Sequence, residues 1–251
     1  MDDERDLATA IDRLLTAAGV DEWGVARVDG DWPFAPALPF AVSIVMRHRQ
    51  AALADLVEEH MSQAFYDDYL RLVRGLHAAG EGLVAMLSDR GYAAVQAGDE
   101  LESSEAGFGV REPDDWGATD VVSHKMAATR AGLGWIGKTA LFVSARYGAA
   151  VRLTSVYTDA PLLAGQPVSE SRCGSCRACV DACQVNAGRD VLWTAGMARD
   201  ELYDEKACEA KTYEHPEWDG TCGVCQAVCP FTQRALRRVP WRPDRTGLVT
   251  G

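Results

Sequence analysis

Residues 173–183 read Cys173-Gly174-Ser175-Cys176-Arg177-Ala178-Cys179-Val180-Asp181-Ala182-Cys183, and residues 222–230 read Cys222-Gly223-Val224-Cys225-Gln226-Ala227-Val228-Cys229-Pro230. With Cys208 between them, these are all eight cysteines of the chain. The first run has the C-x2-C-x2-C-x3-C spacing of bacterial iron–sulfur ligation, in which the fourth thiolate serves the other cluster of a pair. The second run lacks one cysteine of its short repeat, and Cys208 fills that place. The crossed pattern assigns Cys173, Cys176, Cys179 and Cys229 to one [4Fe-4S] cluster. It assigns Cys183, Cys208, Cys222 and Cys225 to a second, and every cysteine is then used. Pro230 follows Cys229 as the pattern wants, while Gln184 stands after Cys183 where proline is usual. Three other readings stay open. Two zinc sites would also take eight thiolates, though zinc knuckles rarely show this run. A disulfide framework needs an oxidising compartment and usually a shorter secreted chain. The clusters could also brace the fold without a redox role.

Composition narrows the function classes. The chain has 251 residues, room for one large domain or two modest ones. No apolar run approaches the roughly 20 residues of a membrane helix, and the acidic start Met1-Asp2-Asp3-Glu4-Arg5-Asp6 has no signal-peptide core. The expectation is a cytoplasmic protein with no membrane partner. A net charge of −12 argues against a general nucleic-acid binder, whose affinity comes from cations on phosphates. Arg234, Arg237, Arg238, Arg242 and Arg245 form a local basic exception near the end of the chain.

Hydrophobic spacing places the elements. Leu7, Ile11, Leu14 and Leu15 mark a helix over 5–18, stopped by Gly19. Residues 23–28 and 41–46 read as strands, separated by a proline-containing stretch. Ser62 caps a long helix through Phe65, Tyr69, Leu72, Val73, Leu76, Leu83 and Leu87, although Gly75, Gly80 and Gly82 argue against its being unbroken. A strand follows at 92–95, then a long acidic loop at 97–120, a lid or a surface excursion. Ser123 caps a short helix to Arg130. Strands follow at 140–144 and 149–157, and 160–170 reads as a linker.

The stretch Gly132-Leu133-Gly134-Trp135-Ile136-Gly137-Lys138-Thr139 matches both the P-loop and the dinucleotide patterns. Both motifs need a strand before the glycines and a helix after them, so that a phosphate meets the helix N-terminus. Here the order is inverted, and neither nucleotide site is expected. The glycines still permit a tight turn or close backbone approach, with Trp135 offering an apolar face and Lys138 a charge.

Taken together, Arg130-Ala131-Gly132-Leu133-Gly134-Trp135-Ile136-Gly137-Lys138 and the two cysteine runs resemble the epoxyqueuosine reductase family, itself related to the cobalamin-dependent reductive dehalogenases. The likeness extends over nearly the whole chain. It implies an α+β fold in which a nitroreductase-like N-terminal domain, residues 1–160, precedes a bacterial two-cluster ferredoxin-like domain, residues 161–251. It implies a reductase passing electrons through two [4Fe-4S] clusters to a cobalamin, FMN being the alternative cofactor. Gly132, Gly134, Trp135, Ile136, Gly137 and Lys138, with His124 and Lys125, become the expected cofactor-binding residues, and Asp120 the expected proton donor. The implied partners are an external donor such as ferredoxin or flavodoxin, and a small-molecule or nucleoside substrate. The tRNA-modifying members usually carry a further helical-repeat domain after the cysteine region, whereas this chain ends 22 residues past Cys229. That and the acidic charge disfavour tRNA. Two rival classes remain: an electron-transfer or corrinoid-reactivating protein with no substrate of its own, and a flavin-dependent reductase.

Overall fold

The computed structural model describes residues 2–28, 38–54, 56, 62–97, 123–213 and 221–238. Helix α1 (Asp2–Ala17) leads through a turn at Gly19 into β1 (Glu22–Arg27). Strand β2 (Phe40–Arg47) and a short α2 (Gln50–Ala54) follow. Helix α3 (Gln63–Ser88) is next, then β3 (Ala94–Gln96) and α4 (His124–Arg130). The hairpin β4 (Gly134–Ile136) and β5 (Phe142–Ser144) precedes β6 (Val151–Thr158). The sheet order is β1-β2-β6-β3, with every pairing antiparallel.

Both faces of this sheet are covered. On one, Leu7, Ile11 and Leu15 of α1 and Leu72, Leu76, Leu83 and Leu87 of α3 pack on Val42, Ile44 and Val156. On the other, Ala127, Ala128 and Ala131 of the α4 region and the β4–β5 hairpin pack on Ala41, Val45, Leu153 and Tyr157. The near-continuous burial of β2 follows from being covered on both sides.

Both serine caps form as expected. Ser62 accepts from Phe65 N and Ser123 from Met126 N, each satisfying an otherwise orphan helix donor. The long helix expected after Ser62 forms as α3 and runs unbroken for 26 residues through its glycines. A Cβ at Gly80 would lie 2.3 Å from the Gln96 side chain, and one at Gly75 3.1 Å from Met46. These glycines let the helix approach the sheet; they do not end it. The strand expected at 140–144 begins only at Phe142, because Ala140 takes a positive φ of 55° in the hairpin turn. The stretch 160–170 is no free tether. Gly165 N donates to Val25 O and Val168 N to Thr129 O, tying it along β1 and α4.

The remaining helices are short: α5 (Ala178–Asp181), α6 (Arg199–Leu202), α7 (Glu205–Thr212), α8 (Val224–Ala227) and α9 (Pro230–Arg238). Helix α5 packs against α8, which lays the two cysteine runs side by side. Helix α9 docks on the turn between β5 and β6. There Thr232 Oγ1 accepts from Ala149 N at 2.9 Å and Ala150 N at 3.3 Å. Among the described residues, no helix is long and apolar enough to cross a membrane.

Candidate metal centre

The thiols fall into two neighbouring groups. Cys173, Cys176, Cys179 and Cys229 line one cavity, whose walls also include Gly137, Lys138, Thr139, Val143 and Phe231. Burial, and then the facing Cys173, Cys229 and Cys176, push the Cys179 thiol up to about 11. Around the other group, Cys222 is raised first by burial and then by Cys208 and Cys183. Cys208 in turn is raised by burial and by Cys183. Cys225 neighbours Cys222 and Cys208 but also Cys179, and it contributes to the wall of the first cavity. It stands where the groups adjoin. Cys183 lies past the C-terminus of α5, and Cys229 past that of α8.

Thiols crowded in this way are poor thiolates on their own. A bound cation supplies the charge that deprotonates them. Among the described residues, no three His, Cys, Asp or Glu side chains form a group that could hold a single metal ion. All eight cysteines are free thiols, so no disulfide framework forms.

Several groups reach the sulfurs. Trp135 Nε1 donates to Cys173 Sγ at 3.4 Å. Its indole is buried and meets Phe231 edge-on, the ring centres 4.9 Å apart. Thr139 lies beside Cys225, and Tyr203 beside Cys208. Ala187 N donates to Cys183 Sγ at 3.3 Å.

The glycine stretch thus has an occupation that its motifs did not reveal. It follows a helix and forms the first strand of a hairpin, the inverted order that excludes a phosphate loop. A Cβ at Gly134 would lie 2.0 Å from Val143 O, and one at Gly132 2.6 Å from Gln166 O. Both positions face protein backbone. Lys138 is buried, and its Nζ donates to Asp190 at 2.6 Å. Arg177 also pairs with Asp190, so the network joins the hairpin to the first cysteine run. Asp190→Asn is expected to lower the thermal midpoint, because it strands the Lys138 ammonium in a buried site. Adding Lys138→Met is expected to recover part of that loss. Thermal unfolding of both variants checks this.

His124 and Lys125 lie on α4. His124 Nδ1 is 3.1 Å from Ser155 Oγ. Lys125 Nζ donates to Ala140 O at 2.9 Å, bracing the positive-φ turn. Burial, then Arg199, hold its ammonium down at about 8. Asp120, and the 98–122 part of the acidic loop, lie outside the described residues.

One buried group carried no sequence signal. His48 Nδ1 lies 2.9 Å from Asp68 Oδ2, and both side chains are almost wholly buried. They are 20 positions apart and form no motif. The only local hint was an aspartate at a buried position of α3.

No protein-family model matches the chain. An epoxyqueuosine reductase of Gloeobacter violaceus is 34% identical over 133 residues, covering 47% of this chain and 39% of that protein. One from Bacillus anthracis is 29% identical over 124 residues, covering 45% and 30%. The chain spans about two fifths of the length of the first of these relatives, or less. Among solved structures, a catabolic reductive dehalogenase, NpRdhA, superposes with a TM-score of 0.64 at 18% identity, over 89% of this chain and 31% of that one. An epoxyqueuosine reductase bound to an epoxyqueuosine-modified tRNA-Tyr stem loop superposes with a TM-score of 0.55 at 16% identity, over 91% and 66%. The structural likeness is one of fold: a mixed α/β chain similar to both groups. The sequence likeness makes the chain a relative of proteins named epoxyqueuosine reductase, as the glycine and cysteine motifs implied.

Proposed function

We propose that this chain is an iron–sulfur reductase whose two thiol sets each hold a [4Fe-4S] cluster. Residues 1–160 act as a nitroreductase-like domain and residues 161–251 as a ferredoxin-like one. The observation that carries the reading is that Cys173, Cys176, Cys179 and Cys229 line one cavity, with Cys225 at its wall, while Cys208 and Cys222 have Cys183 as a neighbour. Cys173, Cys176, Cys179 and Cys229 form set one; Cys183, Cys208, Cys222 and Cys225 form set two. When bound, the clusters supply one-electron steps. The chain supplies thiolates, hydrogen-bond donors to the sulfurs, and apolar walls at Val143 and Phe231 that keep water off set one.

The substrate class comes by kinship. Relatives are named for epoxyqueuosine, and removing an epoxide oxygen as water takes two electrons and two protons. A nucleoside or small molecule bearing such a group is the proposed substrate, and a ferredoxin or flavodoxin the proposed donor. Asp120 is the proposed source of a proton. A solved reductive dehalogenase of similar fold is described as carrying out B12-dependent dehalogenation, and cobalamin is the proposed acceptor on that ground. Of the residues proposed for its binding wall, Gly132 and Gly134 pack on protein backbone, Trp135 meets Cys173 and Lys138 pairs with Asp190, while Gly137 and Lys138 also line the set-one cavity. Gly134→Val would disrupt the β4–β5 hairpin and says nothing about a cofactor.

Anaerobic reconstitution followed by iron, cobalt and flavin analysis tests the reading. The expected result is about eight iron atoms per chain and a spectral change on titration with cob(II)alamin. Cys208→Ala is expected to lose about half the iron and one of two four-iron signals. Retention of both signals in that variant sinks the crossed assignment. Iron with neither cobalamin nor flavin binding leaves an electron carrier.

A further inference from the structure

We propose that Arg172, Arg234 and Arg237 form a docking patch beside set one for a small acidic protein that carries one electron at a time. The inference rests on the iron–sulfur reading above. It gives a role to the basic stretch after Cys229, which the thiol sets themselves do not use.

The patch is built around two rings at the set-one cavity. Trp135 of β4 and Phe231 of α9 meet edge-on, their centres 4.9 Å apart. Phe231 lines the cavity, and Trp135 donates to Cys173. One guanidinium stands over each ring: Arg172 lies 5.7 Å from the Trp135 centre and Arg234 5.3 Å from that of Phe231. Stacking on an aromatic face holds a guanidinium in place and leaves its N–H groups to face a partner. Helix α9 fixes the direction. Thr232 and Ala235 are buried on its inner side, while Arg234 and Arg237, about one turn apart, are exposed. The loop between Cys173 and Cys176 is open too. Gly174 and Ser175 are exposed, and a Cβ at Gly174 would meet nothing within 4 Å. Ser171 N donates to Trp193 O at 2.8 Å, which lays the exposed Val191 and Leu192 alongside the segment that carries Arg172.

Charge selects the occupant. Asp181 and Asp190 pair with Arg177, and Asp190 also with Lys138. Among the described residues, no carboxylate pairs with Arg172, Arg234 or Arg237. Glu170, two residues before Arg172, is the exposed carboxylate of that segment. The whole chain carries −12, so most of it repels an acidic protein, and the unpaired arginines mark where one is accepted. Electron-transfer encounters use small interfaces, which suits three cations beside two apolar side chains. A nucleic acid draws its affinity from many cations on phosphates, and the overall charge opposes it. In the step itself, one electron passes from the reduced carrier to the set-one cluster. The carrier is oxidised, the cluster reduced, and no bond forms or breaks.

The test uses the anaerobically reconstituted chain and, as probe, an acidic plant-type [2Fe-2S] ferredoxin. Calorimetry with the oxidised probe at low salt reads docking, and stopped-flow mixing with the reduced probe reads electron entry. The triple variant Arg172→Gln, Arg234→Gln, Arg237→Gln is expected to weaken docking and slow electron entry, each roughly tenfold. Its iron content and its reduction by dithionite are expected to match wild type. Lysine at the same three positions keeps the charge and is expected to retain most of the docking. The wild type is expected to lose its advantage over the glutamine variant at about 1 M salt, where charges are screened beyond roughly 3 Å. Arg5→Gln, Arg13→Gln, Arg90→Gln removes the same charge from exposed sites on other elements and is expected to change neither reading. Full iron with docking unmoved by the first triple, or moved equally by the second, overturns the inference alone. So does a fully loaded wild type that does not bind the probe, or one that instead binds an RNA stem loop through the same arginines. Failure to hold two four-iron clusters overturns the iron–sulfur reading and this inference with it, and iron analysis before mixing separates the two failures.

Discussion

Gly148→Ala is expected to destabilise the chain by roughly 3 kcal/mol or more and to empty set one of iron. Gly148 lies in the turn between β5 and β6 with φ +77°, where an L side chain costs about 1–2 kcal/mol. Its backbone is fixed by reciprocal hydrogen bonds with Ser144, each 2.9 Å. An added Cβ would lie 2.2 Å from Thr232 N and 2.6 Å from Phe231 C. These are backbone atoms of α9, so relief requires the helix itself to move. Movement breaks the two bonds that Thr232 Oγ1 accepts from Ala149 N and Ala150 N, and each buried donor left bare costs about 1–3 kcal/mol. It also withdraws Cys229, the residue before α9, and Phe231, which packs on Trp135. Urea unfolding and iron analysis of the variant check both effects. A variant within 0.5 kcal/mol of wild type, about the noise of a neutral surface change, would mean that α9 does not dock as described.

Asp68→Ala is expected to cost about 3–5 kcal/mol, the range for breaking a buried charge pair by removing one partner. Asp68 accepts from Arg71 Nε at 2.6 Å and from Arg49 N at 3.0 Å, and it meets His48 Nδ1 at 2.9 Å. Burial by itself pushes this carboxyl up; the His48, Arg71 and Arg49 hydrogen bonds outweigh that and hold it at about 2. The His48 imidazole, stacked on Phe65, is lowered from its ordinary 6.5 by burial, against the pull of Asp68. Burial therefore favours its neutral form. Nδ1–H donates to Asp68, and Nε2 is buried with no hydrogen-bond partner.

The pH dependence follows in sign. The Asp68 contribution is complete above its unfolded value of 3.8 and is lost as pH falls toward 2. The His48 contribution is complete above 6.5 and is lost as pH falls below it, because the unfolded imidazole takes up a proton that the buried one resists. Stability therefore declines from about pH 6.5 downward and more steeply below about 4. Asp68→Asn is expected to flatten the steep lower part. Urea unfolding of variant and wild type at matched pH values checks the profile; parallel curves would rule out Asp68 as its source.

What the sequence revealed of this architecture depended on range. Leu7, Ile11 and Leu15 declared α1 by spacing alone, and Ser62 and Ser123 declared their helix starts, because capping is settled within three residues. Eight cysteines with a gap at Cys208 admitted a crossed assignment by arithmetic. Gly75 and Gly80 were ambiguous, because a glycine placed for close approach to Met46 or Gln96 looks the same as one that ends a helix. Trp135 and Lys138 were singled out correctly as unusual, but their partners Cys173 and Asp190 lie 38 and 52 positions away. No local pattern records such a contact. The same holds for His48 and Asp68, which meet only because α3 folds back over the end of β2.

The proposed crossing of the thiol sets would also impose an order in time. A ribosome releases the chain from its N-terminal end, and β6, the last strand of the sheet, is finished at Thr158, before the first cysteine is made. Set two gains its last thiol at Cys225 and set one at Cys229, four residues later. Neither set can close while the other is far from complete, so there is no stage of synthesis at which one cluster is full and the other not begun. Cys173 waits through 56 further residues for Cys229. Through that interval the β4–β5 hairpin is already made, and on the proposed assignment both thiol sets are completed nearly together.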